Sequence, residues 1–288
     1  MRRLADARVI VGYAVAESLR RRVVAVVTVL TVAFLVLYGL GAYFAFDEVE
    51  SSGLIGGELV DEQALVGGTI FGLAMFAVLF LGSVLAIFLT NGVVRGDADA
   101  GLLQPLVVRP LGRGTLLVAR WAGAAAATTV YVVVVYLLAL AITAAAGDWT
   151  PGSVLLPALA LALAVAIVAA ISVLVSVFLS SSAQGIAVFM IFGAGLVGGL
   201  LGQIGEALSS AKLESIAEAV STALPFEALY QAGLHGLTAE TSGITGVIVQ
   251  LGPFGGAEKA GPGLWVWTLA YLALVGAAAR AGFARRDL

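Results

Sequence analysis

The residues of this chain that could do chemistry are few, and the richest group lies between positions 91 and 113. Arg95, Asp97, Asp99, Gly101, Arg109, Pro110 and Arg113 punctuate an apolar frame of Leu102, Leu103 and Leu106. Carboxylates and guanidinium groups on either side of apolar anchors, closed by Arg109-Pro110, make a short charged helix suited to docking a soluble partner. The same residues also suit a solvated connector that only anchors the apolar segments on either side.

A second group is made of glycines. Gly193, Gly195, Gly198, Gly199 and Gly202 recur through one apolar stretch, and the pairs Gly195/Gly199 and Gly198/Gly202 are small-xxx-small pairs that let helices approach closely. They read as a dimer seam, as a mobile helix lining a path, or as packing within one subunit. Gly67, Gly68, Gly72 and Gly82 form a milder version. Glu227 and His235 stand apart in a region of mixed polarity, where a ligand or gate role competes with simple solvation.

Several kinds of chemistry are excluded. There is no cysteine and one histidine, which removes disulfides, iron–sulfur centres, thiolate sites and histidine clusters. A phosphate loop needs G-x-x-x-x-G-K-[ST], and the only lysines, Lys212 and Lys259, lack that glycine frame. H-E-x-x-H and G-x-S-x-G are absent as well. The reading is therefore not an enzyme.

The elements that must position these residues are set by composition. Of 288 residues, 61% are hydrophobic and 11% are charged, whereas a soluble domain is about 45–50% apolar and about 25% charged. Six stretches are long enough to cross a bilayer as helices: 23–46, 65–94, 116–146, 154–179, 185–204 and 264–283. They are apolar all round, which predicts an all-α membrane protein rather than a barrel of alternating strands. The first stretch exceeds a signal-peptide core and is followed by acidic residues, so it reads as a retained span.

Charge sets the orientation. Arg2, Arg3, Arg8, Arg20, Arg21, Arg22, Arg95, Arg109, Arg113, Arg120, Arg280, Arg285 and Arg286 fall on one side, which is thirteen of the fifteen basic residues. The positive-inside rule makes that side cytoplasmic and puts both termini there. Arg120, just inside the third span, reads as snorkelling to the interface. The outer loop 47–64 carries six acidic residues and no base.

One continuous domain, 1–288, is expected. Residues 1–22 form a cytoplasmic interfacial helix, 23–204 hold spans one to five, 205–263 lie outside, and 264–288 hold span six and a cytoplasmic tail. Within 205–263 an amphipathic helix carries Leu213, Ile216, Val220 and Leu224 on one face. A second helix, 225–234, starts at Pro225, and 236–263, with eight glycines and two prolines, reads as a loop. Spans four and five are joined inside by 180–184.

The 91–113 segment resembles the E-x-E-x-G-T-L-x-x-L-L-x-R-P-x-x-R segment of ABC transporter permeases of the type-2 (exporter) class. Asp97 and Asp99 replace the usual glutamates, Leu102 stands where Thr is common, and Pro105 interrupts the helix. The ending Phe283-Ala284-Arg285-Arg286-Asp287-Leu288 is similar to the F-x-R-R-D-L ending frequent there. The opening Ala16-Glu17-Ser18-Leu19-Arg20-Arg21-Arg22 resembles the pre-membrane helix, and Leu224-Pro225-Phe226-Glu227-Ala228-Leu229-Tyr230 resembles the outer helix before the last span.

The resemblance implies a permease half in the cytoplasmic (inner) cell membrane. A second copy, identical or related, would complete the path, and a separate ATPase subunit, holding ATP and Mg, would dock on 91–113 and on the helix with Glu17, Arg20, Arg21 and Arg22. No nucleic-acid partner is implied. The competing functions are an ATP-independent secondary carrier and a non-transporting membrane scaffold.

Overall fold

The computed structural model describes residues 22–52, 62–91, 113–238 and 261–285. Among the described residues all regular structure is helical. In chain order the helices are α1 (Arg22–Ser52), α2 (Glu62–Thr90), α3 (Arg113–Gly147), α4 (Leu155–Phe178), α5 (Ser181–Ala207), α6 (Ala211–Ala223), α7 (Pro225–Thr238) and α8 (Pro262–Ala284). Six of these, α1 to α5 and α8, are long and apolar enough to cross a membrane. Lipid offers no partner to a backbone N–H or C=O, and a helix satisfies both internally.

The centre of the bundle is α4. Within its most apolar window 78% of residues are buried, against 17% in α1 and in α8. Its sequence explains the position. Ala160, Ala164 and Ala169 are fully buried, and a helix faced with alanine lets neighbours approach on several sides. It packs against α2, α3, α5, α7 and α8. Gly82 of α2 continues the rule: a methyl group there would lie 2.4 Å from Val132 of α3 and 3.0 Å from Val165 of α4.

Hydrogen bonds that cross between helices support this packing. Trp121 Nε1 donates to the Ala166 carbonyl at 3.2 Å, and the Tyr136 hydroxyl donates to the Val154 carbonyl at 3.2 Å. Thr31 pairs with Tyr131, and Tyr38 with Thr143, joining α1 to α3.

The termini of the helices sort into two faces. Leu117, Val173, Val177, Ala279 and Phe283 cluster at one end, joining the start of α3 to the ends of α4 and α8. Val27, Leu85, Leu89 and Ala124 join the start of α1, the end of α2 and α3 at that same end. This is the face at which the described chain begins and ends. Phe46 packs on Gly147, and Trp149 on Gly67, at the opposite face.

Several boundaries differ from expectation. The first helix does not stop at Phe46 but carries Asp47, Glu48 and Glu50 into a further turn, to Ser52. Each residue added to a formed helix gains a backbone bond, and acids beyond the hydrocarbon stay hydrated. The second helix ends at Thr90, short of Val94. The join between spans four and five is only residues 179–180, because α5 starts at Ser181 and takes Gln184 into its first turn. The helix expected over 225–234 runs on to Thr238. The interfacial helix up to residue 21, the segment 92–112, and 239–260 lie outside the described residues.

Candidate functional site

Two sets of side chains on α5 stand out, one at each end. Toward its C-terminus the glycines face α6 and α7, the two helices that follow. A methyl group at Gly195 would lie 2.3 Å from the Phe226 ring, at Gly198 2.3 Å from Val220, and at Gly202 3.2 Å from the Ala217 β-carbon. At Gly199 it would lie 1.9 Å from Glu227 Oε1. The glycine stripe is thus a groove that receives α6 and the start of α7 of the same chain. Gly193, off the stripe, has nothing within 4 Å of such a methyl group.

α7 is apolar where it meets the bundle, and it packs chiefly on α4 while its first turn reaches α5. Phe226, Leu229, Tyr230, Leu234 and Leu237 are buried, and Phe226 stacks on Phe192 of α5 with ring centroids 5.4 Å apart. Pro225 opens α7 at a position where its missing N–H costs no hydrogen bond. His235, expected on a solvated stretch, is half-buried in the last turn of this helix.

Glu227 is the unusual member, a carboxylate only 4% exposed. Gln231 Nε2, one turn on, donates to its Oε1 at 2.9 Å. Beside it, burial pushes the Tyr230 phenol well above the ordinary tyrosine range, and the Glu227 charge adds to the effect. A cleft of about 630 Å³ opens here, floored by Gly198, Gly199 and Gly202. Glu206, Glu214, Glu218 and Glu227 border it.

At the other end of α5 a polar knot is buried in the apolar bundle. Gln184, fully buried, donates through Nε2 to the Thr90 carbonyl at 3.0 Å. It also lies 3.1 Å from both the carbonyl and the hydroxyl oxygen of Ser172. Thr90 Oγ1 donates to Ser172 Oγ at 2.7 Å. Three helices therefore meet in one network: the last residue of α2, the inner part of α4 and the first turn of α5.

This knot was not singled out by the sequence. Gln184 closes Ser181-Ser182-Ala183-Gln184, an S-x-x-Q pattern that marks a helix start. That signal locates the helix but not the direction of the amide. Ser180, one residue earlier, is the N-cap, and its carbonyl accepts from the Gln184 N–H at 2.8 Å.

The other expected positions divide as follows. Arg113 and Arg22 are the first residues of α3 and α1. Arg95, Asp97, Asp99, Gly101, Arg109 and Pro110, with Glu17, Arg20 and Arg21, lie outside the described residues. Arg120 is half-buried two turns into α3. Gly67, one of the milder set of small residues, closes on the Trp149 indole, which would lie 2.4 Å from an added methyl group.

No curated protein matches the chain. A family model does: the one described as ABC-2 family transporter protein matches residues 9–288, nearly the whole chain. The match spans all six long apolar helices, and the chain belongs to the ABC-2 family of transporter membrane proteins.

Proposed function

We propose that this chain, a membrane permease component of ABC transport, is one half of an exporter. Two copies form the path, and a separate ATPase subunit drives them. The observation that carries the reading is the family match over residues 9–288 on a six-span bundle. In this reading the face where the described chain begins and ends is cytoplasmic, and α6 and α7 lie outside. The distribution of thirteen arginines supports that orientation.

The energy source follows from charge. In the described spans Asp47, Glu48, Glu50, Glu62 and Glu206 all stand near helix ends. A proton- or ion-coupled carrier keeps such groups at membrane depth as a relay. With no phosphate loop in the sequence, ATP and Mg belong on the partner, docked at 91–113 and on the helix with Glu17, Arg20, Arg21 and Arg22.

The test is purification of the tagged full-length chain from its native membrane in mild detergent. An ATPase should co-purify in equal amount with a pair of permease copies. Asp97→Lys with Asp99→Lys should lose the ATPase while the permease stays folded. Transport that survives ATP depletion and collapses with the ion gradient would instead establish a secondary carrier.

A further inference from the structure

We infer that Gln184 is a positioning residue for transport. With Thr90 and Ser172 it forms a clasp that ties the membrane end of the 91–113 segment to α5, so that force arriving at the segment moves α5 and the outer helices. The inference rests on the reading that 91–113 docks the ATPase.

The chemistry begins with a helix end. The last four carbonyls of a helix have no partner in their own ladder. Thr90 is the last residue of α2, and its carbonyl is met by the Gln184 amide from another helix. The chain therefore leaves α2 for the segment at a point held by α5 and α4. Gln184, Thr90 and Ser172 are all fully buried. Water is excluded, so a broken bond leaves a bare polar atom in an apolar surrounding, and the arrangement resists gradual loosening. Such a contact favours movement of its partners together.

The second link is α5 itself. Its 27 residues make a rod about 40 Å long. Gln184 sits in the first turn, and the glycines from Gly195 to Gly202 seat α6 and α7 near the other end. Phe226 and Val220 touch the glycine backbone too closely to admit a methyl group. A shift of the first turn of α5 is therefore passed to the cleft bordered by Ser221.

Absence of cysteine makes the readout clean. Ser221→Cys is introduced as a reporter in the cleft, and its rate of reaction with an impermeant maleimide is measured on the purified permease–ATPase complex. Rates with ATP and vanadate are compared with rates without nucleotide. With Gln184 intact, nucleotide should change the rate about fivefold or more, the size of an ordinary coupling free energy.

Gln184→Leu should remove most of that response while the ATPase still co-purifies and still hydrolyses ATP. Thr90→Val, which keeps the shape and removes the hydroxyl, should weaken it. Thr90→Ser, which restores the hydroxyl, should return it. This variant pair keeps the test open if Gln184→Leu fails to fold.

A full response in both Gln184→Leu and Thr90→Val overturns the inference and leaves the docking reading standing. So does a reporter that ignores nucleotide with Gln184 intact. Failure of any ATPase to bind the unmodified chain removes the docking reading itself, and the clasp loses its role with it.

Discussion

Gly195 and Gly198 show what a single hydrogen atom decides in this bundle. At Gly195 an added methyl group meets the ring of fully buried Phe226, and at Gly198 it meets the branched Val220 side chain. Neither neighbour can move far, so Gly195→Ala and Gly198→Ala should each destabilise the protein by about 1–3 kcal/mol, the cost of overpacking. Gly199→Ala meets a carboxylate at the end of a flexible chain, and its cost should be smaller. Gly193 and Gly185 have open space, so alanine there should be neutral or stabilising by up to about 1 kcal/mol through helix propensity. Thermal midpoints of the five purified variants in one detergent check the order. A Gly195→Ala midpoint equal to that of Gly193→Ala would dismiss the groove.

At the scale of elements, the seam between α5 and α6 can be locked. The β-carbon built at Gly202 lies 3.2 Å from that of Ala217, a few tenths of an ångström short of the separation a disulfide uses, about 3.5–4.5 Å. Gly202→Cys with Ala217→Cys should oxidise to a bridge within one chain, seen as a reducible change in mobility of the monomer. A bridge that appears only as a cross-linked pair of chains would place the stripe at a dimer seam. In the sequence, spacing alone left both options open. Small residues at i and i+4 announce a close approach and say nothing of which helix arrives. The amphipathic pattern of 213–224 marked a helix with one apolar face, but only part of that face is covered: Val220 lies against Gly198 and Ala217, outside the expected set, against Gly202, while Ile216 stays exposed.

The whole molecule presents two faces, and α5 offers a residue at each. Ser182 is exposed in its first turn and Ser209 is exposed just past its end. Single cysteines at these positions in sealed cells should separate cleanly: Ser209→Cys reacts with an impermeant thiol reagent from outside, and Ser182→Cys does not. Labelling of Ser182→Cys from outside would reverse the orientation and place the arginine-rich face outside. The charge pattern behind this expectation needs no coordinates. Lys and Arg resist translocation wherever the loops fold, so a count along the chain carries the information.

The sequence by itself determined the solvent, the secondary structure and the number of crossings, because a bilayer admits few solutions. About twenty apolar residues must be helical, and six such runs are visible in composition alone. It also carried the family, through motifs at 91–113 and at both chain ends, and the family match over 9–288 agrees. Only tertiary structure decided which helix is central, since all six runs are apolar all round and pattern cannot separate a lipid-facing side from a protein-facing one. Alanine content does not mark α4 either, since α3 is at least as rich in it. Likewise Gln184 looked like part of a short polar link. Its burial against Thr90 and Ser172 depends on where the ends of α2 and α4 lie. Those contacts join residues 12 and 94 positions apart in the chain, a separation no local pattern encodes.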